Sequence, residues 1–122
     1  MSPRPLLAVD DVPAASRWFQ EVLGLVSAHG GDEYEMLVDG DRLVLQLHHW
    51  DAHEHPHLGR ADTVRGNGVL VWFAVDDLDA VADRARAARA EILDGPVFNP
   101  AARHRELWLR HPDGYVVVAS GD

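Results

Sequence analysis

Two stretches of the chain repeat one pattern of apolar and polar positions. Pro5 to Val9 and Val69 to Val75 are apolar runs of strand length, and each leads into an acidic pair. Ala8-Val9-Asp10-Asp11-Val12 recurs 66 residues later as Ala74-Val75-Asp76-Asp77-Leu78. A helical period follows each pair. After Asp11, the residues Trp18, Phe19, Val22 and Leu23 fall on one predicted face, Pro13 suits the first turn, and Gly24 suits the stop. After Asp77, the residues Val81, Ala85 and Ala88 mark a narrower apolar stripe among alanines and arginines, both good helix formers. Asp11 and Asp77 are the predicted N-caps, because a carboxylate there accepts backbone N–H groups that lack an intrahelical partner.

Three strand-like segments follow each helix. In the first half they are Leu25 to Ala28, Tyr34 to Val38 and Arg42 to His48, with Asp39-Gly40 as a hairpin signal. In the second they are Glu91 to Val97, His104 to Arg110 and Tyr115 to Ser120, with Pro112-Asp113-Gly114 as the turn. Each half therefore reads β-α-β-β-β. The predicted organisation is an α+β fold in one domain, with a module at 4–50, a polar linker at 51–66 carrying Pro56, Gly59 and Gly66, and a module at 67–120. A 66-residue offset is too long for a solenoid repeat and points to duplication of a module that cannot bury its sheet alone.

Composition narrows the classes. At 122 residues with 47% apolar and 25% charged content, the chain has the proportions of a single globular domain. No apolar run approaches the roughly 18–20 residues of a membrane span. The opening residues lack a small-residue cleavage site, so no secretory signal is expected. The absence of cysteine removes disulfides, thiolate metal sites and cysteine nucleophiles, and fits an expected cytoplasmic location. Eleven arginines and no lysine face 20 acids, a formal charge of −9, which argues against a nucleic-acid partner. That charge either only keeps the protein soluble or also attracts cationic small molecules. No serine sits on a glycine elbow, and Gly66-Asn67-Gly68 precedes a strand and not a helix, so it reads as a turn and not as a phosphate loop.

The two Val-Asp-Asp units, the run Glu21-Val22-Leu23-Gly24-Leu25, and Arg105-Glu106-Leu107-Trp108-Leu109-Arg110-His111-Pro112-Asp113-Gly114 resemble the vicinal oxygen chelate superfamily. Its members include glyoxalase I, extradiol dioxygenases, methylmalonyl-CoA epimerase, and the fosfomycin and bleomycin resistance proteins. The resemblance covers about residues 4 to 120, and the last stretch looks most like the bleomycin-resistance branch. It implies two curled mixed sheets facing each other around a cavity. It also implies four strand positions that carry ligands in metal-dependent members, occupied here by Arg4, Gln46, Leu70 and Val118. Leu70 and Val118 have no donor atom, Arg4 repels a cation, and only Gln46 coordinates, weakly. No metal and no cofactor is therefore expected.

Within that frame His48 shares a sheet face with Gln46 by strand alternation and is expected to meet a ligand. His53, His55 and His57 alternate in the linker and are either a metal-binding set or surface imidazoles. Trp72 and Trp108 are either core residues or a stacking surface, with Trp50 at the mouth. Glu106 shares parity with Trp108 and is either a partner for a cationic group or an exposed carboxylate paired to Arg105 or Arg110. The expected ligand set is Arg4, Gln46, His48, Trp50, Trp72, Arg105, Glu106 and Trp108, with Arg4 and Arg105 as anion contacts should the ligand be negative. The expected function is metal-free sequestration of a drug or metabolite by a homodimer without nucleic-acid or membrane partners. The alternative is a metal-dependent isomerase, lyase or dioxygenase that uses His48 and the linker histidines.

Overall fold

The computed structural model describes residues 2–50 and 69–122. The chain divides into two compact units, Met1–Arg65 and Gly66–Asp122. The first contains β1 (Leu6–Val9), α1 (Val12–Leu23), β2 (Val26–Ser27), β3 (Tyr34–Asp39) and β4 (Arg42–His49). The second contains β5 (Leu70–Ala74), α2 (Leu78–Ala87), β6 (Glu91–Asn99), β7 (His104–Arg110) and β8 (Val116–Gly121). Each unit is thus β-α-β-β-β with one four-stranded mixed sheet, ordered β1-β4-β3-β2 in the first and β5-β8-β7-β6 in the second. The first and last strands of each unit run parallel, which the intervening helix permits, and the other pairs are antiparallel. The α+β expectation holds. Among the described residues no helix is long and apolar enough to cross a membrane.

The two helices start identically. Asp11 Oδ1 accepts from Ala14 N and Asp77 Oδ1 from Ala80 N, each at 2.9 Å, and both caps have extended backbone. Gly24 ends α1 at φ 73°, a left-handed conformation in which glycine carries no Cβ penalty. Alternation along the strands then sorts the side chains. In the first unit Leu7, Val9, Leu37, Leu45 and Leu47 face α1, which buries Val12, Ala15, Ser16, Phe19 and Val22. Trp18 and Leu23 sit only half-buried beside that stripe, so the packed face is rotated from the one the sequence suggests. In the second unit Leu107, Leu109, Val117 and Ala119 pack beneath Leu78, Val81 and Ala85. Each fully buried leucine contributes about 1.5–3 kcal/mol.

The helix side of the first sheet also holds one carboxylate. Glu35 is 3% exposed and accepts from Ser16 Oγ and Ser27 Oγ at 2.8 Å, Gly30 N at 2.7 Å, His29 N at 3.2 Å and Met36 N at 2.9 Å. Burial alone would raise its pKa. The Gly30 N–H, the two serine hydroxyls and the His29 N–H outweigh that and hold it below the usual carboxylate range. Glu35 thereby ties α1, β2 and the turn after it to β3.

Candidate functional site

The sheet faces turned away from the helices carry the polar and aromatic side chains. In the second unit Trp72 and Trp108 are both register partners of Val118, and Ala74 and Glu106 are both partners of Ser120. All therefore lie on one face. The two indoles meet edge to face with centroids 5.9 Å apart, and Trp72 remains 42% exposed. Trp72 Nε1 donates to Ser120 Oγ at 2.8 Å.

Glu106 organises this face. It is 5% exposed, and both oxygens are engaged. Oε2 accepts from Trp108 Nε1 at 2.9 Å, and Oε1 accepts from Asn99 Nδ2 at 2.8 Å and from His104 Nε2 at 2.9 Å. The indole N–H first, then the amide and the imidazole, hold its carboxyl below the usual range, so it is ionised at neutral pH. The His104 ring lies 6.1 Å from Trp72. Two turns fix these groups. Asn99 Oδ1 accepts from Ala101 N at 3.0 Å, and Asn99 O accepts from Arg103 N at 2.8 Å, which places Asn99 opposite His104 across the β6–β7 hairpin. On the other side of Glu106, β6 bulges at Gly95, whose φ is 88° and where any Cβ would run into the Glu106 carbonyl.

Arg105 is not part of this cluster. Odd parity turns it toward α2, where it grips both oxygens of Asp79 at 2.9 and 3.1 Å and the Asp122 carbonyl at 2.5 Å. Glu106 pairs with neither Arg105 nor Arg110, since Arg110 lies beside Glu91 at 3.7 Å. His104 is an addition that shares the parity of Glu106 and Trp108 along β7, whereas Asn99 and Ser120 reach this face only through the register of the neighbouring strands.

The corresponding face of the first unit differs. Leu6 and Met36 are register partners of Gln46, and Ala8 and Tyr34 are partners of His48. Tyr34 Oη donates to Gln46 Oε1 at 2.5 Å, and Gln46 Nε2 donates to the Arg4 carbonyl at 3.1 Å. His48 is buried, with its Nδ1 3.2 Å from the His49 carbonyl and its ring 6.2 Å from Tyr34, which in turn meets His29 at 5.0 Å. Trp50 is half-buried just past β4, with its backbone N–H donating to the Val9 carbonyl. Arg4 is exposed ahead of β1. Gln46 and His48 are thus neighbours on one face, while Trp72, Glu106 and Trp108 are neighbours on the other unit's face. His53, His55 and His57 lie outside the described residues.

The four family metal positions do not fit a divalent cation. Val118 is fully buried and has no donor, Leu70 is an exposed hydrocarbon, and the Gln46 amide is committed to Tyr34 and Arg4. Among the described residues no three histidine or acidic side chains converge as a ligand set.

The comparisons agree with this architecture. No curated protein matches the chain. An integron cassette protein from the mobile metagenome of V. cholerae is 23% identical with a TM-score of 0.74, over 98% of this chain and 94% of its own. A glyoxalase/bleomycin resistance protein/dioxygenase family enzyme from Burkholderia phytofirmans is 20% identical with a TM-score of 0.78, over 96% and 94%. A glyoxalase-related enzyme from Fulvimarina pelagi is 18% identical with a TM-score of 0.78, over 100% and 88%. At these identities the likeness is one of fold. The family profile itself matches residues 3–118, and with that span the chain belongs to the Glyoxalase/Bleomycin resistance protein/Dioxygenase superfamily.

Proposed function

We propose that the protein binds a small planar organic molecule, preferably a cation, on the Trp72 face of its second unit, without a metal at the four family positions. The observation that carries this reading is an indole left 42% exposed on a sheet face and braced edge-on by a second indole, whose own N–H donates to a buried, ionised Glu106. A large aromatic side chain held open in this way suits stacking. Glu106 has both oxygens occupied, so its part is to fix Trp108 and His104 and to keep negative charge beneath the face. The net charge of −9 acts in the same direction. Cation–π stacking contributes about 0.5–2 kcal/mol, and apolar burial supplies the larger share of the roughly 8 kcal/mol that micromolar binding needs.

The role that follows is sequestration of a drug or metabolite, as in the bleomycin-resistance branch, in the cytoplasm. Homodimer formation belongs to the same reading, supported by Leu93, Val97 and Phe98, which leave the edge strand β6 apolar and exposed. Titration with bleomycin and with a panel of planar aromatic cations tests the binding. Tryptophan fluorescence is expected to quench with micromolar midpoints, and Trp72→Ala to weaken binding at least tenfold. A panel that fails below millimolar, while a neutral or anionic thiol conjugate binds, overturns the reading and moves attention to Arg4.

A further inference from the structure

The same face carries a base. His104 Nε2 sits 2.9 Å from Glu106 Oε1. An ionised carboxylate can only accept, so Nε2 holds the hydrogen and the lone pair of the neutral ring is on Nδ1. Among the described residues Nδ1 makes no hydrogen bond, and the side chain is 29% exposed. The carboxylate that sets this tautomer is itself immobilised by Asn99 and Trp108. The imidazole ring borders the exposed Trp72 indole at 6.1 Å. A base oriented by a buried carboxylate, beside a surface on which a flat molecule can stack, is an arrangement suited to proton transfer.

We propose that His104, oriented by Glu106, is a general base that moves a proton on a planar conjugated substrate stacked at Trp72; this rests on the reading that the face binds a small molecule. His104 Nδ1 removes a proton from an acidic C–H beside a carbonyl. The electron pair of that bond stays on the substrate as a delocalised enolate, and Glu106 stabilises the imidazolium. The imidazolium then returns the proton to the same or a conjugated carbon. The outcome is an epimerisation or isomerisation in which no atom or electron is gained or lost.

The probe for this activity is 5-nitrobenzisoxazole, a flat carbon acid. Removal of its C3 hydrogen by a base breaks the ring N–O bond, gives a nitrile and a coloured phenolate, and leaves the proton to pass from His104 to water. With the full chain, kcat/KM is expected to exceed that of His104→Gln by at least about 100-fold. Glu106→Gln is expected to fall between the two, and Trp72→Ala to raise KM more than it lowers kcat. Equal kcat/KM for native protein and a folded His104→Gln variant overturns the proposal. Two-bond proton–nitrogen NMR of the His104 ring gives a test independent of turnover: the Nε2–H tautomer is expected, and an Nδ1–H tautomer overturns the assignment. Fluorescence quenching by the probe without His104-dependent turnover removes this proposal and leaves the binding reading intact.

Discussion

At six register-matched sheet positions the first unit presents Leu6, Ala8, Tyr34, Met36, Gln46 and His48, and the second presents Trp72, Ala74, Glu106, Trp108, Val118 and Ser120. The scaffold beneath them is the same, down to two aspartate caps with equal hydrogen bonds. Only one of the six positions keeps its residue, the small Ala8 and Ala74. The first face is closed by its own hydrogen bonds: the Gln46 amide is held at both ends, and His48 is buried. The second has an equally satisfied carboxylate but leaves an indole and part of an imidazole open. The two units share one frame, and what differs between them is how much of the sheet face is left exposed.

The buried carboxylates make the contrast sharper. Glu35 lies on the helix side of its sheet and is satisfied chiefly by backbone N–H groups and serines. Glu106 lies on the open side and is satisfied by aromatic, imidazole and amide side chains. Glu35→Ala should therefore give the larger loss of stability, about 3 kcal/mol, by orphaning buried donors, without altering ligand affinity per folded molecule. Glu106→Gln should act mainly on the ligand, weakening binding several-fold. Urea midpoints and fluorescence titrations on both variants check this; a Glu35 variant of native stability would break the distinction.

The strand-joining turns differ in the same way. Asp39 before Gly40 is exposed and pairs with Arg42 at 3.1 Å, whereas His111, in the second unit, is 1% exposed and accepts from Asp113 N at 3.1 Å. Burial lowers the His111 pKa from the usual 6.5 to about 4. The unfolded chain takes up a proton near pH 6.5 that the folded chain refuses until about pH 4. Stability should therefore fall as pH drops through that window, by about 3 kcal/mol, and flatten in this respect below it. The lowered pKa values of Glu35 and Glu106 add a further loss below the ordinary carboxylate range, as their ionised forms are protonated. His111→Phe should flatten the first part of the curve in urea unfolding between pH 7 and pH 4.5. Smaller still is the loss of a cap: Asp11→Ala and Asp77→Ala should each cost about 0.5–2 kcal/mol, and a marked inequality would weaken the equivalence of the two helices. The smallest expected effect is that of metal removal. Untagged, dialysed protein should hold well under one equivalent of zinc, nickel, iron or manganese, and its melting temperature should not move with chelator. One tightly held equivalent would reverse that reading.

What the sequence made legible is local. The repeated Ala-Val-Asp-Asp, the stop at Gly24 and the turns at Gly40 and Gly114 depend on contacts within a few residues, and the structure has each where the pattern put it. Parity within β7 also placed Glu106 with Trp108. The same parity holds for His104, a signal left unused. Asn99 and Ser120 were not legible, because they depend on register: Asn99 faces His104 only across the β6–β7 hairpin, and Ser120 meets Glu106 only through the β7–β8 pairing. Arg105 was a parity signal left unused, since its odd position turns it toward Asp79. Glu35 carried a similar signal. It shares parity with Leu37 on the apolar side of β3, and Ser16 stands on the apolar side of α1, so each is a polar group in need of a buried partner.

The most direct test uses the four tryptophans as separate reporters. Their indole Nε1–H resonances are assigned by single Trp→Phe variants and followed while a planar aromatic cation is titrated into native protein. The account predicts that the Trp72 and Trp108 signals move together and saturate at micromolar ligand, while Trp18, on α1, stays fixed. Saturating shifts at Trp50 with Trp72 and Trp108 unmoved would place the ligand against the first unit and contradict it.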